Sequence, residues 1–324
     1  MLEEPRLASR DEIPVLDLSR ATTKEGRIAL GNELRAAALG LGFFYITGHG
    51  VSPENVDQVF ATAHRYFALP FEKKDECRMD LRTRRGFMPM FTTKVGEHAP
   101  DLKESFDFGF DLPEEDPDVR AGLFLHGPNR WPADLPWLRE TMETYLDALM
   151  ETSRTLLRIF AISLDVEEEY FLRHFVKPMM HTRLFHYPPQ PKSSSDMEFG
   201  VAPHADHGLI TILNQDAVGG LEVLTKSGEW VGAPYIEGTF IVNLGNLFKR
   251  WTNDYYSSTF HRVINRTNSE RYSVPTFLNL DYHTPVECMP RCLGPEGRSR
   301  YPIETSGSII EKALRKDEAK MEAR

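Results

Sequence analysis

Near Pro178 the hydrophobic period of this chain changes, and that change limits the folds open to it. Downstream, short β-branched and aromatic runs are divided by Gly, Asn, Asp and Pro. They cover 182–187, 209–215, 221–225, 230–233, 239–243, 259–264 and 272–278. Short strands with repeated turn signals predict a β-sandwich, barrel or jelly roll. Upstream the period is mostly helical. Helices are predicted over 24–41, with Ile28, Leu34, Ala38 and Leu41 as the buried stripe, and from Pro53 to Phe67, with Ser52 as N-cap. A long helix follows over 138–164 and a short one over 166–174. Two strands, 13–18 and 42–47, interleave with them. The expected class is α+β. The expected division is 1–177 as a mixed helical part, 178–305 as the β core and 306–324 as a charged helical tail, all in one unit.

Between Arg82 and Pro132 the periodicity fades. The Met-rich and aromatic loop from Arg85 to Phe91 either covers a site or packs beneath itself, and 103–109 alternates like a strand. Composition narrows the partners. A net charge of −10 without a Lys/Arg run argues against nucleic acid. No run approaches the ~20 apolar residues of a membrane span. Three cysteines, Cys77, Cys288 and Cys292, read as free thiols in a reducing compartment. With no signal pattern at the N-terminus, a cytoplasmic protein is expected. The oligomeric state is left open.

The β half carries the chemistry. His204 and Asp206 stand two apart in Pro203-His204-Ala205-Asp206-His207-Gly208, so they share one strand face. A second imidazole, His261, lies in another strand-like run, Thr259-Phe260-His261-Arg262-Val263. Two neutral nitrogens and one carboxylate suit non-haem Fe(II) with open positions. Zinc accepts the same ligand types, so the triad alone leaves both metals open. Arg271 and Ser273 form a further same-face pair. An arginine inside a β core needs a counter-anion, either a protein carboxylate or a small dicarboxylate bound beside the metal. His207 is expected to face away from the triad. His49 and His64 read as structural.

In this ordered set the chain resembles the iron(II)- and 2-oxoglutarate-dependent oxygenases, in particular the isopenicillin N synthase-like group. The matching features are the His-x-Asp, the run from Thr252-Asn253-Asp254 to His261-Arg262-Val263, the Arg-x-Ser, and the upstream stretches Ile13-Pro14-Val15-Leu16-Asp17-Leu18, Gly42-Phe43-Phe44-Tyr45 and Gly48-His49-Gly50-Val51. The resemblance implies a double-stranded β-helix (jelly-roll) core. It implies Fe(II) on His204, Asp206 and His261, and 2-oxoglutarate held at its distal carboxylate by Arg271 and Ser273 with support from Tyr187. O₂ is the co-reactant, with ascorbate as a possible reductant. Plant members often carry Asn two residues before that tyrosine; here Phe185 stands there.

The implied reaction oxidises a C–H bond of a small organic molecule and releases succinate and CO₂. Hydroxylation is the commonest outcome, with desaturation and cyclisation as variants. Two rival readings are an oxidase of the isopenicillin N synthase kind, without 2-oxoglutarate, and a zinc-filled protein without catalysis. Candidate substrate contacts are Arg183, which shares a strand face with Tyr187 and would meet an anionic group, and an apolar wall of Phe87, Met90, Phe248, Trp251 and Phe277.

Overall fold

The computed structural model describes residues 4–92, 100–189, 199–294 and 296–322. Residues 93–99, within the irregular 82–132 stretch, and the last two of the charged tail lie outside the described residues.

The first half alternates strands and helices: β1 (Val15–Asp17), α1 (Lys24–Leu39), β2 (Phe43–Thr47), α2 (Pro53–Phe67), α3 (Phe71–Asp75), β3 (Gly86–Met88), β4 (Glu104–Gly109), α4 (Pro117–Arg120) and α5 (Pro136–Ser163). Local chemistry starts the main helices. The Thr23 side chain accepts from Gly26 N–H at the head of α1, and Ser52 accepts from Asn55 N–H at the head of α2, with Pro53 in the first turn. Both helices pack on α5, which buries Leu138, Met142, Tyr145, Leu149, Leu156 and Phe160.

Two helical expectations need correction. Ile28 is not in the buried stripe of α1 but exposed; Leu34 and Ala38 are buried as expected, together with Leu30 and Ala37, and Leu41 lies past the helix end in the core between the sheets. The segment 166–174 is a series of turns closed by a single 3₁₀ turn at Leu172–His174. Asp165, with φ of +55°, follows the end of α5 and interrupts the helical ladder before 166–174.

The second half supplies β5 (His181–Tyr187), β6 (Val201–His204), β7 (Ile210–Gln215), β8 (Leu221–Leu224), β9 (Trp230–Ala233), β10 (Phe240–Leu244), α6 (Asn246–Trp251), β11 (His261–Val263), β12 (Arg271–Leu278), β13 (Pro285–Val286), β14 (Glu304–Thr305) and α7 (Ser306–Glu322). Among the described residues these build an eight-stranded sheet ordered β1-β2-β10-β7-β12-β5-β4-β3 and a four-stranded sheet ordered β6-β11-β8-β9. The large sheet draws its outer strands from the first half of the chain. Between the sheets pack Phe43, Tyr45, Phe185, Tyr187, Val201, Leu221, Val223, Ile241 and Val263. The outer face of the large sheet meets the helices through a second, larger core that includes Phe44, Phe160, Ile212, Val242 and Val274. One face of each strand thus turns to the other sheet, which is the jelly-roll arrangement.

Candidate active site

β6 and β11 are antiparallel neighbours in the small sheet, and their register sets His204 directly opposite His261. Their ring centroids lie 4.2 Å apart. Each Nδ1 faces a backbone carbonyl, Ala202 O at 2.9 Å and Thr259 O at 3.2 Å. A carbonyl only accepts, so each Nδ1 carries the proton and each Nε2 keeps a lone pair. Both Nε2 atoms point at Asp206 Oδ1, at 3.5 and 3.8 Å. One ligand-type atom from each of the three residues lies within 4.8 Å of the others.

Asp206 follows β6 in a loop that the start of α6 holds in place. Asn246 N–H donates to Asp206 O at 2.7 Å, Gly245 N–H to Leu209 O at 2.9 Å, and Leu247 N–H to His207 O and Gly208 O. Its Oδ2 accepts from Thr211 Oγ1 at 2.5 Å and Asn243 Nδ2 at 2.7 Å. Burial alone would raise the Asp206 carboxyl, but His261, His204 and the Thr211 hydroxyl outweigh it and hold the group well below the carboxylate range. His261 moves the other way. Burial, reinforced by His204, pushes its imidazole down to about 4 against the pull of Asp206. At neutral pH Asp206 is therefore an anion and the His261 nitrogen is neutral, the protonation states a divalent ion needs.

Thr211, Asn243 and Asn246 were not singled out from sequence. Asn243, at the end of a strand-like run and just before Gly245, carried the only local signal. His207 turns away from the triad, as expected, and its Nε2 meets Asp317 Oδ2 of α7 at 2.7 Å. His49 stacks on Phe240 and His64 lies against Tyr272, both outside the triad.

The large sheet faces this group. Arg271 is fully buried on β12, opposite Tyr187 of β5. Its Nε donates to Gly219 O, its Nη1 to Ser273 Oγ at 3.1 Å and its Nη2 to Gln215 Oε1 at 3.3 Å. The guanidinium lies 4.6 Å from the Tyr187 ring centroid, and Ser273 Oγ reaches Tyr187 Oη at 3.4 Å. Every one of these acceptors is neutral, and among the described residues no carboxylate lies at ion-pair distance from Arg271, although Asp216 acts on it through space. A buried cation in that state calls for an anion from outside the chain.

Triad and arginine share one cavity of about 690 Å³, which Arg183, Phe185, Tyr187, Phe260 and Phe277 also line. The remaining apolar candidates do not line it. Phe248 and Trp251 lie on the buried side of α6 and pack against Phe171, because the helix turns that face to the core. Phe87 is buried against Tyr66 and Phe71. Met90, half-buried beyond β3, is likewise not among the lining residues. Arg183 faces the cavity but is already committed to Asp107, Nε to Oδ2 at 2.8 Å.

Known proteins place this geometry. Residues 13–134 match the family described as non-haem dioxygenase in morphine synthesis, N-terminal, and residues 178–280 match the 2OG-Fe(II) oxygenase superfamily. The chain is 35% identical over 320 residues to the 2-oxoglutarate-Fe(II) type oxidoreductase hxnY of Emericella nidulans, covering 96% of this chain and 91% of that protein. A full-length Neurospora crassa protein, solved in complex with alpha-KG, superposes with a TM-score of 0.84 at 28% identity, over 96% of this chain and 99% of that one. The complex of the same Neurospora protein with alpha-KG and thymine aligns with the same TM-score and identity, over 95% and 98%. With matches running through both halves and a relative of this identity spanning nearly the full length, the chain belongs to the 2OG-Fe(II) oxygenase superfamily and is a 2-oxoglutarate-dependent dioxygenase.

Proposed function

We propose that His204, Asp206 and His261 hold the Fe(II) of this dioxygenase, and that Arg271, Ser273 and Tyr187 hold the distal carboxylate of 2-oxoglutarate. The observation that carries the reading is Arg271, a fully buried guanidinium bonded only to neutral oxygens, opening on the same cavity as the three ligand-type atoms. A dicarboxylate that also reaches the metal satisfies both needs. Two nitrogens and a carboxylate, in the protonation states described, fit Fe(II) with open positions.

Fe(II) with 2-oxoglutarate supplies oxidative decarboxylation, releasing succinate and CO₂, and oxidising power against a C–H bond. The residues of the chain do the rest. The carbonyls of Ala202 and Thr259 fix both imidazole tautomers and aim the Nε2 lone pairs. Thr211 and Asn243 hold Oδ2 of Asp206, leaving Oδ1 toward the imidazoles. Arg271 and Ser273 orient the cosubstrate, and the cavity walls keep water from the reacting centre.

The substrate is a small organic molecule, and hydroxylation of one of its C–H bonds is the proposed outcome. The cavity volume supports this, as does the binding of thymine by the Neurospora protein. The test supplies Fe(II), O₂ and 2-oxoglutarate and measures succinate. Succinate formation lost in His204→Ala and Asp206→Ala is expected. Retained activity in those variants would refute the ligand assignment, and O₂ consumption that needs no 2-oxoglutarate would refute the cosubstrate role. No helix among the described residues is long and apolar enough to cross a membrane.

A further inference from the structure

We propose that the cavity holds the carboxylate of an anionic substrate against Arg183 and Lys103, at a point separate from the Arg271 anchor. This deepens the preceding reading of the cavity and rests on it.

The sheet register separates the two anion sites. β5 pairs Tyr187 with Arg271 and Phe185 with Ser273, while β4 pairs Asp107 with Arg183. Arg183 stands four residues from Tyr187 on the same face, roughly 13 Å along the strand. A carboxylate gripped at Arg271 is out of its reach. Between these points lies Phe185, whose ring centroid is 4.8 Å from Arg183 Cζ and 5.2 Å from Lys103 Nζ. Phe185 is thus a ring flanked by two cations.

On this side the cations outnumber the buried carboxylates, and Asp111 at the surface also acts on Arg85. The cations Arg85, Lys103 and Arg183 face the carboxylates of Asp101 and Asp107, all buried except the half-buried Arg183. Lys103 Nζ meets Asp101 Oδ2 at 2.5 Å, and Asp107 Oδ2 is shared by Arg183 Nε and His181 Nε2. His181 is held neutral by its burial, so it adds no charge. Arg85 is bonded only to backbone carbonyls, among them Thr83 O, Phe110 O and Leu125 O.

Arg183 has a donor to offer. Its Nη2 reaches Ser105 Oγ at 3.3 Å and Met88 Sδ at 3.7 Å, while Nη1 makes no hydrogen bond among the described residues. The wall also carries the apolar Leu125, Phe260, Ile310 and Leu314, interspersed with the polar Arg84, Lys249, Ser258 and Asp317. The substrate this describes is a monocarboxylate with an apolar or aromatic body.

The test is calorimetric titration of the anaerobic Fe(II)–2-oxoglutarate protein with acids from benzoate to dodecanoate, each paired with its primary amide. At least one acid is expected to bind about tenfold or more tighter than its amide, since a hydrogen bond to a charged group is worth that much. Arg183→Gln should bring the pair close to parity, Arg183→Lys should keep part of the preference, and Lys103→Gln should reduce it. Wild-type protein that binds every acid and its amide alike overturns the proposal. So does a preference that survives both glutamine variants. The wild-type comparison stands even if Arg183→Gln fails to fold. In Arg271→Gln the acid preference should persist while 2-oxoglutarate binding falls, so the two readings fail separately.

Discussion

Asn243 of β10 donates its amide to the carboxylate oxygen of Asp206 that faces away from the two imidazoles, at 2.7 Å. The bond crosses from the large sheet to the loop after β6, so it fixes the carboxylate relative to the small sheet that carries both histidines.

Asn243→Leu removes that donor at nearly constant volume. Metal affinity, read by competition with a chelator, should weaken about 10–100-fold. Stability in urea should fall by about 1–3 kcal/mol, because a buried carboxylate loses a partner. Unchanged metal affinity would show that Thr211 alone orients Asp206.

Gly245 lies so close to the metal loop that a Cβ there would sit 2.1 Å from Gly208 O and 3.1 Å from Asp206 O. Gly245→Ala should therefore displace the loop. The expected stability cost is about 1–3 kcal/mol, as for overpacked sites. Metal binding should suffer more than it does in an alanine variant at the exposed Gly228, beside whose Cβ there is open space.

Arg271→Gln should raise the 2-oxoglutarate concentration needed for half-maximal succinate formation by about 10–100-fold, the value of a hydrogen-bonded charge. Tyr187→Phe should raise it by less than about tenfold, because the Ser273–Tyr187 contact is long, at 3.4 Å. Equal effects of the two variants would put the anchor elsewhere.

His261 and His181 give the metal-free protein a defined response to acid. Burial pushes both imidazoles from 6.5 down to about 4. Unfolding lets each take up a proton between those values. The stability tied to their neutral forms is complete above pH 6.5 and is lost as pH falls toward 4. Asp206, held low, adds its own loss only below its ordinary 3.8. Urea unfolding at pH 7.5, 6 and 5 should show a steady decline with uptake of up to about two protons. A flat profile would contradict the burial of these rings.

Much of the frame was legible along the chain because its signals are local. Capping residues at Thr23 and Ser52, the apolar stripe of α5 and the alternation of β5, β7 and β12 each depend on neighbours a few positions away. Ile28 was misplaced for the converse reason: which side of α1 is buried depends on where α5 lies. Phe248 and Trp251 were misread for the same kind of reason, since α6 turns its apolar side to the helical core and only its first residues toward the metal loop.

The order of residue types alone determined the family, the jelly-roll class and a short set of groups able to bind a metal and an anion. The groups follow from side-chain chemistry and the strands from period-two alternation, which a strand carries in its own sequence, while the family and the jelly-roll class rest on the resemblance of the ordered motifs. The tertiary structure alone decided which groups meet. The register of β6 with β11 sets the two imidazoles face to face, β7 and β10 deliver Thr211 and Asn243 to Asp206, and β4 supplies the carboxylate that occupies Arg183. These contacts join residues far apart in the sequence, 37 positions for Asp206 and Asn243, and strand order and register decide them.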